Sequence, residues 1–381
     1  MGSTQLPRPL LSGIDYAAGT KTGDYLVVVS RNIGRLRRIA RWHRNRSGRR
    51  VLILLYHRIA TLGSDPWALS VTPQHFAEHL EVLREQARTI PLQQLPKALS
   101  NGNVEDRHVI VTFDDGYSDN LHNAKPILEH YDIPATVFIT TGYIGNEVEV
   151  WSDALDGLLL QPERLPKTLC LDIDGSNYQW ELGEAAHYSA YASHRNKNWR
   201  AWKDIPPSPR HRLYLALWEL LKPLAEDKRQ RVLDELVVWA GAEPAVRTTH
   251  RTLSLEETFA LAQGELIEVG AHTVTHSSLA ALPATSQRNQ IQQSKIQLEE
   301  ILDRPVTSFA YPYGTRSDYT AQTVRIVQDA GFVRACSNFA GVIGQSTDRF
   351  QLPRIHVENW DGEEFARLLS RWFWFSRWFH D

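Results

Sequence analysis

Seven short runs of aliphatic and β-branched residues recur along the chain: Val51–Tyr56, His108–Phe113, Pro134–Thr140, Leu266–Ala271, Val306–Tyr311, Phe332–Cys336 and Leu352–Val357. Such apolar runs predict strands covered on both faces. Between them Pro73–Ala87, Asn120–His130, Leu255–Gln263, Ser286–Leu302 and Ser317–Ala330 carry apolar residues at helical spacing, with Ser286 and Ser317 placed as caps. Strand and helix in alternation predict a parallel sheet wrapped by helices.

The alternation breaks between about residues 145 and 253. This stretch holds Trp180, Trp199, Trp202, Trp218 and Trp239 and a long helical segment, Pro209–Val238. It reads as an insertion between the third and fourth strands, set over the carboxyl ends of the strands as a lid or groove wall. Most of its tryptophans are expected to fill a core, because the indole offers large apolar area. The organisation expected is a basic extension, 1–50, then one domain, 51–381, with 145–253 inserted.

Two flanking segments stand out. Arg31 to Arg50 contains nine arginines and no acid, with Ile33, Leu36 and Ile39 at helical spacing. It suits either peripheral contact with a membrane surface or a solvated extension. Phe365, Leu368, Trp372, Phe375 and Phe379 form an aromatic C-terminal face; packing of a last helix on the sheet is preferred over membrane anchoring.

Charge excludes one class of partner. With 42 basic against 44 acidic residues the net charge is -2, so no overall field selects nucleic acid. Cys170 and Cys336 are isolated and read as buried free thiols rather than a disulfide framework. The run Tyr25–Val29 is too short for a secretory signal, and no apolar stretch reaches the length of a membrane span, so the expected location is cytoplasmic with membrane association through the arginine segment as an option.

The chemistry concentrates at two strand ends. Val109-Ile-Val-Thr-Phe-Asp-Asp-Gly-Tyr117 delivers adjacent carboxylates, Asp114 and Asp115, to the edge where α/β folds place function. Neighbouring buried carboxylates repel, and a cation resolves this by taking one as ligand and leaving the other as base. Glu268-Val-Gly-Ala-His-Thr-Val-Thr-His276 supplies His272 and His276, four apart and expected on one side of a helical turn. One Asp and two His with an open position describe a catalytic metal centre. The donor set favours zinc, and cobalt, nickel or iron would also fit. Thr273 and Thr275 are expected to satisfy loop amides and carbonyls.

Thr112-Phe-Asp-Asp-Gly116 resembles the first motif of the polysaccharide deacetylases (carbohydrate esterase family 4, the NodB homology domain), and His272-Thr-Val-Thr-His276 resembles the second. Phe309-Ala-Tyr-Pro-Tyr-Gly314 is similar to the third, Arg-x-Pro-Tyr, with Ala310 where the family most often has arginine. The resemblance implies an α/β fold, a distorted (β/α)7 barrel with a helical insertion between strands 3 and 4, and a divalent metal held by Asp115, His272 and His276. It implies Asp114 as base, the Tyr313 backbone NH toward the oxyanion, and Tyr311 and Pro312 beside the substrate. The missing arginine would orient Asp114; Arg354 is the candidate to replace it. His356, in Leu352-Pro-Arg-Ile-His-Val357, is the candidate acid, with an ordinary strand-end histidine as the alternative. Tyr56-His57-Arg58 resembles a segment opening many bacterial members, which would place His57 and Arg58 in the groove; His57 is equally suited to bonding the strand end. Asp361 is placed to cap the last helix or Trp360 to border the cleft.

The implied activity is metal-dependent removal of N-acetyl groups from a polysaccharide or a lipid-linked glycan precursor. An O-acetyl esterase or small-amide hydrolase on the same site, and a catalytically silent glycan-binding or membrane-associated module, are the other readings.

Overall fold

Residues with apolar side chains on both sides of the backbone need cover on both faces, and the strands receive it. The computed structural model describes residues 50–101, 107–146, 148–243 and 246–375, with backbone only for Asn101, Trp374 and Phe375. Strands β1 Val51–Tyr56, β2 His108–Phe113, β3 Ala135–Ile139, β4 Ile267–Ala271, β5 Ser308–Ala310, β6 Arg334–Cys336 and β7 Ile355–His356 lie parallel in the order β6-β5-β4-β3-β2-β1-β7. The sheet curls into a partly open barrel. The segment before β7 spans the gap, since Leu352 pairs with Cys336 while Ile355 and His356 pair with Leu54 and Leu55 of β1.

Side-chain alternation divides the strands between two layers. Leu52, Leu54, Tyr56, Val109, Val111 and Phe113 pack outward beneath helices. Val51, Ile53, Ile110 and Phe138 fill the interior, which Leu92 and Leu95 plug at the amino end. The outer helices are α1 Pro73–Gln86, α2 Lys125–Tyr131, α6 Leu255–Leu261, α7 Ala284–Leu302, α8 Ala321–Asp329 and α9 Gly362–Phe375, while α3 Trp151–Leu160, α4 Pro209–Leu221 and α5 Glu226–Ala240 belong to the insertion.

Several expectations need correction. Helix α7 starts on Pro283, whose ring presets φ, so Ser286 is already inside it. Helix α8 is capped by Thr320 with Thr323 in a reciprocal capping box, and Ser317 instead bonds Thr315. The long segment Pro209–Val238 is two helices, broken where Pro223 cannot continue the hydrogen-bond ladder. Thr168–Ile173 and Ser176–Glu181 form an antiparallel hairpin over Asp174-Gly175, both at positive φ. An Asp-Gly pair between alternating residues is a hairpin signal that the sequence itself carries. Cys170 is free as expected but exposed, on this hairpin. The stretch Asn120–His130 opens with a π-helical turn, Asn120–Ala124, before α2.

The insertion has its own core of Trp151, Leu155, Leu159, Trp199, Tyr214, Leu217 and Leu236. Its two ends are fastened together. Arg247 grips Glu149 through Nε at 2.9 Å and Nη2 at 2.6 Å, and Gly145 N–H donates to the Leu253 carbonyl at 3.0 Å. Among the described residues no helix is long and apolar enough to cross a membrane. The arginine segment before Arg50 and Phe379 lie outside the described residues.

The C-terminal aromatic face packs on the barrel. Phe365 and Leu369 are fully buried, with Leu369 taking the place expected of Leu368 because the helix turns it toward α1. Asp361 caps α9, accepting from Glu364 N at 2.8 Å. His79 of α1 stacks on Phe365 at 4.1 Å, with Nε2 at 2.7 Å from the Trp360 carbonyl and Nδ1 at 3.3 Å from Tyr56 Oη. Burial lowers its pKa to about 4, only partly offset by the Trp360 carbonyl. An unfolded His titrates near 6.5, so acid draws protons onto the unfolded chain first and this contact loses stability as pH falls from about 6.5 toward 4. Between pH 7 and pH 5 the loss from His79 is about 2 kcal/mol. The expected outcome is a shallower pH slope for His79→Gln than for wild type in urea denaturation; parallel slopes would remove His79 from the account.

Candidate active site

Alternation along β2 sends Ile110 into the barrel interior, and Thr112 and Asp114 follow at the same two-residue period. Thr112 Oγ1 donates to the Leu54 carbonyl at 2.8 Å, and Asp114 N–H donates to Tyr56 O at 3.1 Å. Asp114 therefore stands on the inward face at the carboxyl rim, 3% exposed. Asp115 follows with φ 76°, a left-handed conformation that turns its carboxylate back over the same rim.

Arg354, just before β7, meets Asp114 end-on. Its Nη1 and Nη2 donate to the two carboxylate oxygens at 2.7 and 2.6 Å, and Nε donates to Ser337 O at 2.7 Å. Burial by itself lifts the Asp114 pKa, but the Arg354 guanidinium, then His272, outweigh it and hold the group at about 2. The cation missing at Ala310 is thus supplied from the seventh strand. Ala310 keeps a role through its backbone: its carbonyl lies 2.8 Å from His272 Nδ1, which leaves Nε2 facing the acids.

No helical turn follows β4. His272 to His276 form a loop with Thr273 at φ 65° and His276 at φ 50°, and these two left-handed residues fold both imidazoles toward Asp115. The loop is held from three sides. Gln290 Oε1 accepts from Val274 N and Thr275 N at 3.0 and 2.9 Å, Arg229 Nη2 donates to Thr275 O at 2.8 Å, and Gly142 N–H donates to Val274 O at 2.7 Å. Gly142 is obligatory, because a Cβ there would sit 2.5 Å from that carbonyl. The threonines do not act as expected: Thr275 Oγ1 meets Ser277 Oγ at 2.8 Å, and Thr273 Oγ1 is buried with no partner among the described residues.

His276 Nε2 and His272 Nε2 lie 3.3 and 3.6 Å from Asp115 Oδ1. That oxygen is buried without a hydrogen-bond partner, and burial, then the Asp114 and Asp153 charges, raise the Asp115 pKa well above the usual range. Burial lowers both imidazoles, which keeps them in the neutral form that ligates metal. Tetrahedral ligands at about 2.0–2.1 Å from zinc stand roughly 3.3 Å apart. The observed separations match that edge, and the residues fit a divalent ion.

The remaining candidates divide. Tyr313, at φ 59°, packs its ring edge-on to His276 at 4.7 Å, and among the described residues nothing accepts from its amide. Trp151 Nε1 donates to Tyr313 Oη at 3.0 Å, which joins the insertion to the site. His57 and His356 meet edge-to-face at 5.5 Å, with His57 Nδ1 and His356 Nε2 buried and unbonded. Three expected substrate contacts are placed elsewhere. Tyr311 is 1% exposed, stacked on Tyr319 at 4.0 Å and bonded to Phe350 O; Pro312 is buried; Arg58 is 2% exposed, gripping Asp119 at 3.1 Å and covering the Tyr117 ring. Each is consumed by protein partners. A cleft of about 820 Å³ runs along α3 and α5 to Val274 and Thr275, but none of Asp114, Asp115, His272 and His276 lines it, because Trp151 and Arg229 stand at its wall. Gln290, Arg229, Trp151 and Gly142 escaped the sequence reading; their partners are distant in the chain, and no local pattern marks them.

Comparison with known proteins agrees with this geometry. The family described as polysaccharide deacetylase matches residues 101–164 and 248–335, which omits most of the insertion. The Bacillus subtilis protein YxkH, whose name assigns it provisionally to the polysaccharide deacetylases, is 30% identical over 108 residues, 28% of this chain and 37% of that protein. The poly-β-1,6-N-acetyl-D-glucosamine N-deacetylase of Staphylococcus epidermidis is 36% identical over 78 residues, 20% of this chain and 27% of the relative. The matches thus span 37% and 27% of these curated relatives. Among solved structures, the Streptococcus pyogenes deacetylase PplD with acetate shares the fold at TM-score 0.51 and 18% identity, over 84% of this chain and 99% of that one. IcaB from Ammonifex degensii does so at TM-score 0.51 and 17% identity, over 85% and 97%. The barrel and its aspartate and histidine motifs define a deacetylase-type domain. Over those matched residues the chain is similar to the polysaccharide deacetylase family.

Removing one member of the Arg354–Asp114 pair leaves a buried charge unanswered. Arg354→Met is expected to cost about 3–5 kcal/mol. Combined with Asp114→Asn it should cost at least about 1 kcal/mol less than the sum of the single changes. Urea denaturation of the four proteins measures this; strict additivity would show the pair to be uncoupled.

Proposed function

We propose that this protein hydrolyses N-acetyl groups from an N-acetylated polysaccharide, with Asp115, His272 and His276 holding a divalent metal, zinc by preference. The reading rests on one observation: a carboxylate fixed by a bidentate guanidinium stands beside an unpartnered carboxylate faced by two neutral imidazoles. The bound ion would acidify a water and polarise the acetyl carbonyl.

The chain's own residues supply the rest. Asp114 stays ionised because Arg354 and His272 stabilise its charge, and each carboxylate oxygen keeps a lone pair beyond the one Arg354 uses. It accepts the proton of the attacking water. The Tyr313 amide, free of other acceptors among the described residues, donates to the oxyanion as the carbonyl becomes tetrahedral. The C–N bond then breaks, and the amine leaves with the proton that Asp114 took from the water, relayed through His57 or His356. Both imidazoles are neutral at rest, lowered by burial to about 3 and about 4, so either is free to carry it. The polymer class follows the relatives, among which the Staphylococcus epidermidis and Staphylococcus aureus proteins are named for poly-β-1,6-N-acetyl-D-glucosamine.

Asp114→Asn should cut acetate release from an N-acetylglucosamine oligosaccharide by about 10²–10⁴-fold. Bound zinc, counted by elemental analysis, should stay nearly unchanged, whereas His272→Ala should lower both. Full activity in Asp114→Asn would remove it as base, and release of acetate only from O-acetyl sugars would replace the amidase with an esterase.

A further inference from the structure

Four aromatic rings run in file from solvent to the metal ligands. Trp202 lies 6.4 Å from Trp67 with ring planes 16° apart, Trp67 lies 4.3 Å from Trp218, Trp218 lies 5.9 Å from Tyr313, and Tyr313 packs on His276. They come from three separate connections at the carboxyl ends of the strands, after β1, within the insertion after β3, where Trp218 sits on α4, and after β5. That is the face on which a barrel presents its site.

From these contacts we infer that Trp202, braced from behind by Trp67 and Trp218, is an outer platform on which one ring of an N-acetylated glycan chain stacks while another residue of the chain reaches the metal-ligand centre. The inference rests on the deacetylase reading above and adds where the rest of the polymer lies. Three observations carry it. Trp202 is 45% exposed whereas Trp199, three residues earlier, is 7% exposed and in the insertion's core, so core filling does not account for Trp202. The file is rigid: Trp67 Nε1 donates to Tyr214 Oη at 2.8 Å, Ala201 N–H donates to Pro66 O at 2.8 Å, and Arg200 Nη1 donates to Asp65 O at 3.1 Å. These bonds lock the Trp67 loop to the Trp202 turn, so the rings are held in place before any ligand arrives. Finally, the platform ends on the residue whose amide is assigned to the oxyanion. A pyranose offers flat faces of C–H groups, which indole faces cover without fixing the sugar's hydroxyl pattern.

The test uses the full chain carrying Asp114→Asn, so that bound glycan is not consumed, with β-1,6-linked N-acetylglucosamine disaccharide and hexasaccharide as probes in calorimetry. The platform predicts tighter binding of the hexasaccharide, and Trp202→Ala should shrink that gain about tenfold while Trp202→Phe restores most of it. Thermal unfolding of the exposed Trp202→Ala change, read in parallel, checks that the fold persists. Absence of hexasaccharide binding, or equal weakening of both probes, would overturn the platform. Hexasaccharide binding that depends on Trp202, together with no acetate release by wild type, would keep the platform and overturn the deacetylase reading instead.

Discussion

Everything at the rim of this barrel depends on how two adjacent buried carboxylates are kept from raising each other's pKa. The fold answers for one of them only. Asp114 receives a guanidinium from 240 positions along the chain, fixed by the Ser337 carbonyl and lying 5.6 Å from the Phe138 ring. Asp115 Oδ1 has no hydrogen-bond partner among the described residues, Arg58 and Arg354 offset its burial only in part, and that burial is a standing cost unless a metal takes it. This asymmetry separates base from ligand. Strand order makes it possible, since β2 and β7 both pair with β1 and bring Asp114 and Arg354 to one rim.

Local backbone completes the arrangement. Asp115, Thr273, His276 and Tyr313 all take left-handed φ without being glycine, at about 1–3 kcal/mol each. Residues in that conformation change the direction of the chain within one position. Without it, a carboxylate and two imidazoles on successive strand ends would point along their strands rather than toward one another. The strain is held by contacts that have no catalytic chemistry of their own: Gln290 and Arg229 on the histidine loop, Trp151 on Tyr313.

What could be read from the sequence follows the range of the interactions. Strands, the insertion point and the Asp115, His272 and His276 set depend on short patterns and were legible, although β5, β6 and β7 are shorter than their apolar runs because pairing ends where the barrel opens. Arg354 was legible for a different reason: Ala310 left a buried acid without its expected cation, and Arg354 is the cation in the last apolar run, Leu352–Val357. Tyr311, Pro312 and Arg58 end or follow strands as expected, but their side chains run into the layer between sheet and loops, a burial that no local pattern shows. Gln290 and Gly142 were illegible, since each is defined only by a backbone group far away in sequence.

Moving the cation from β5 to β7 has a consequence for the insertion. An alanine at position 310 leaves that strand end small and fully buried, and its carbonyl is free to orient His272. Tyr313 then packs among Trp151, Trp218 and His276, with Lys222 Nζ 4.4 Å over its ring. That environment is contributed largely by residues 145–253, most of which the family match omits. The barrel thus supplies the carboxylates and imidazoles, the insertion supplies an aromatic wall together with Arg229 and Lys222, and they meet at one tyrosine. Fastening of the insertion's ends by Arg247 and Glu149 matters for this reason, because a wall that shifted relative to β5 would move Tyr313 and with it the amide beside the metal ligands.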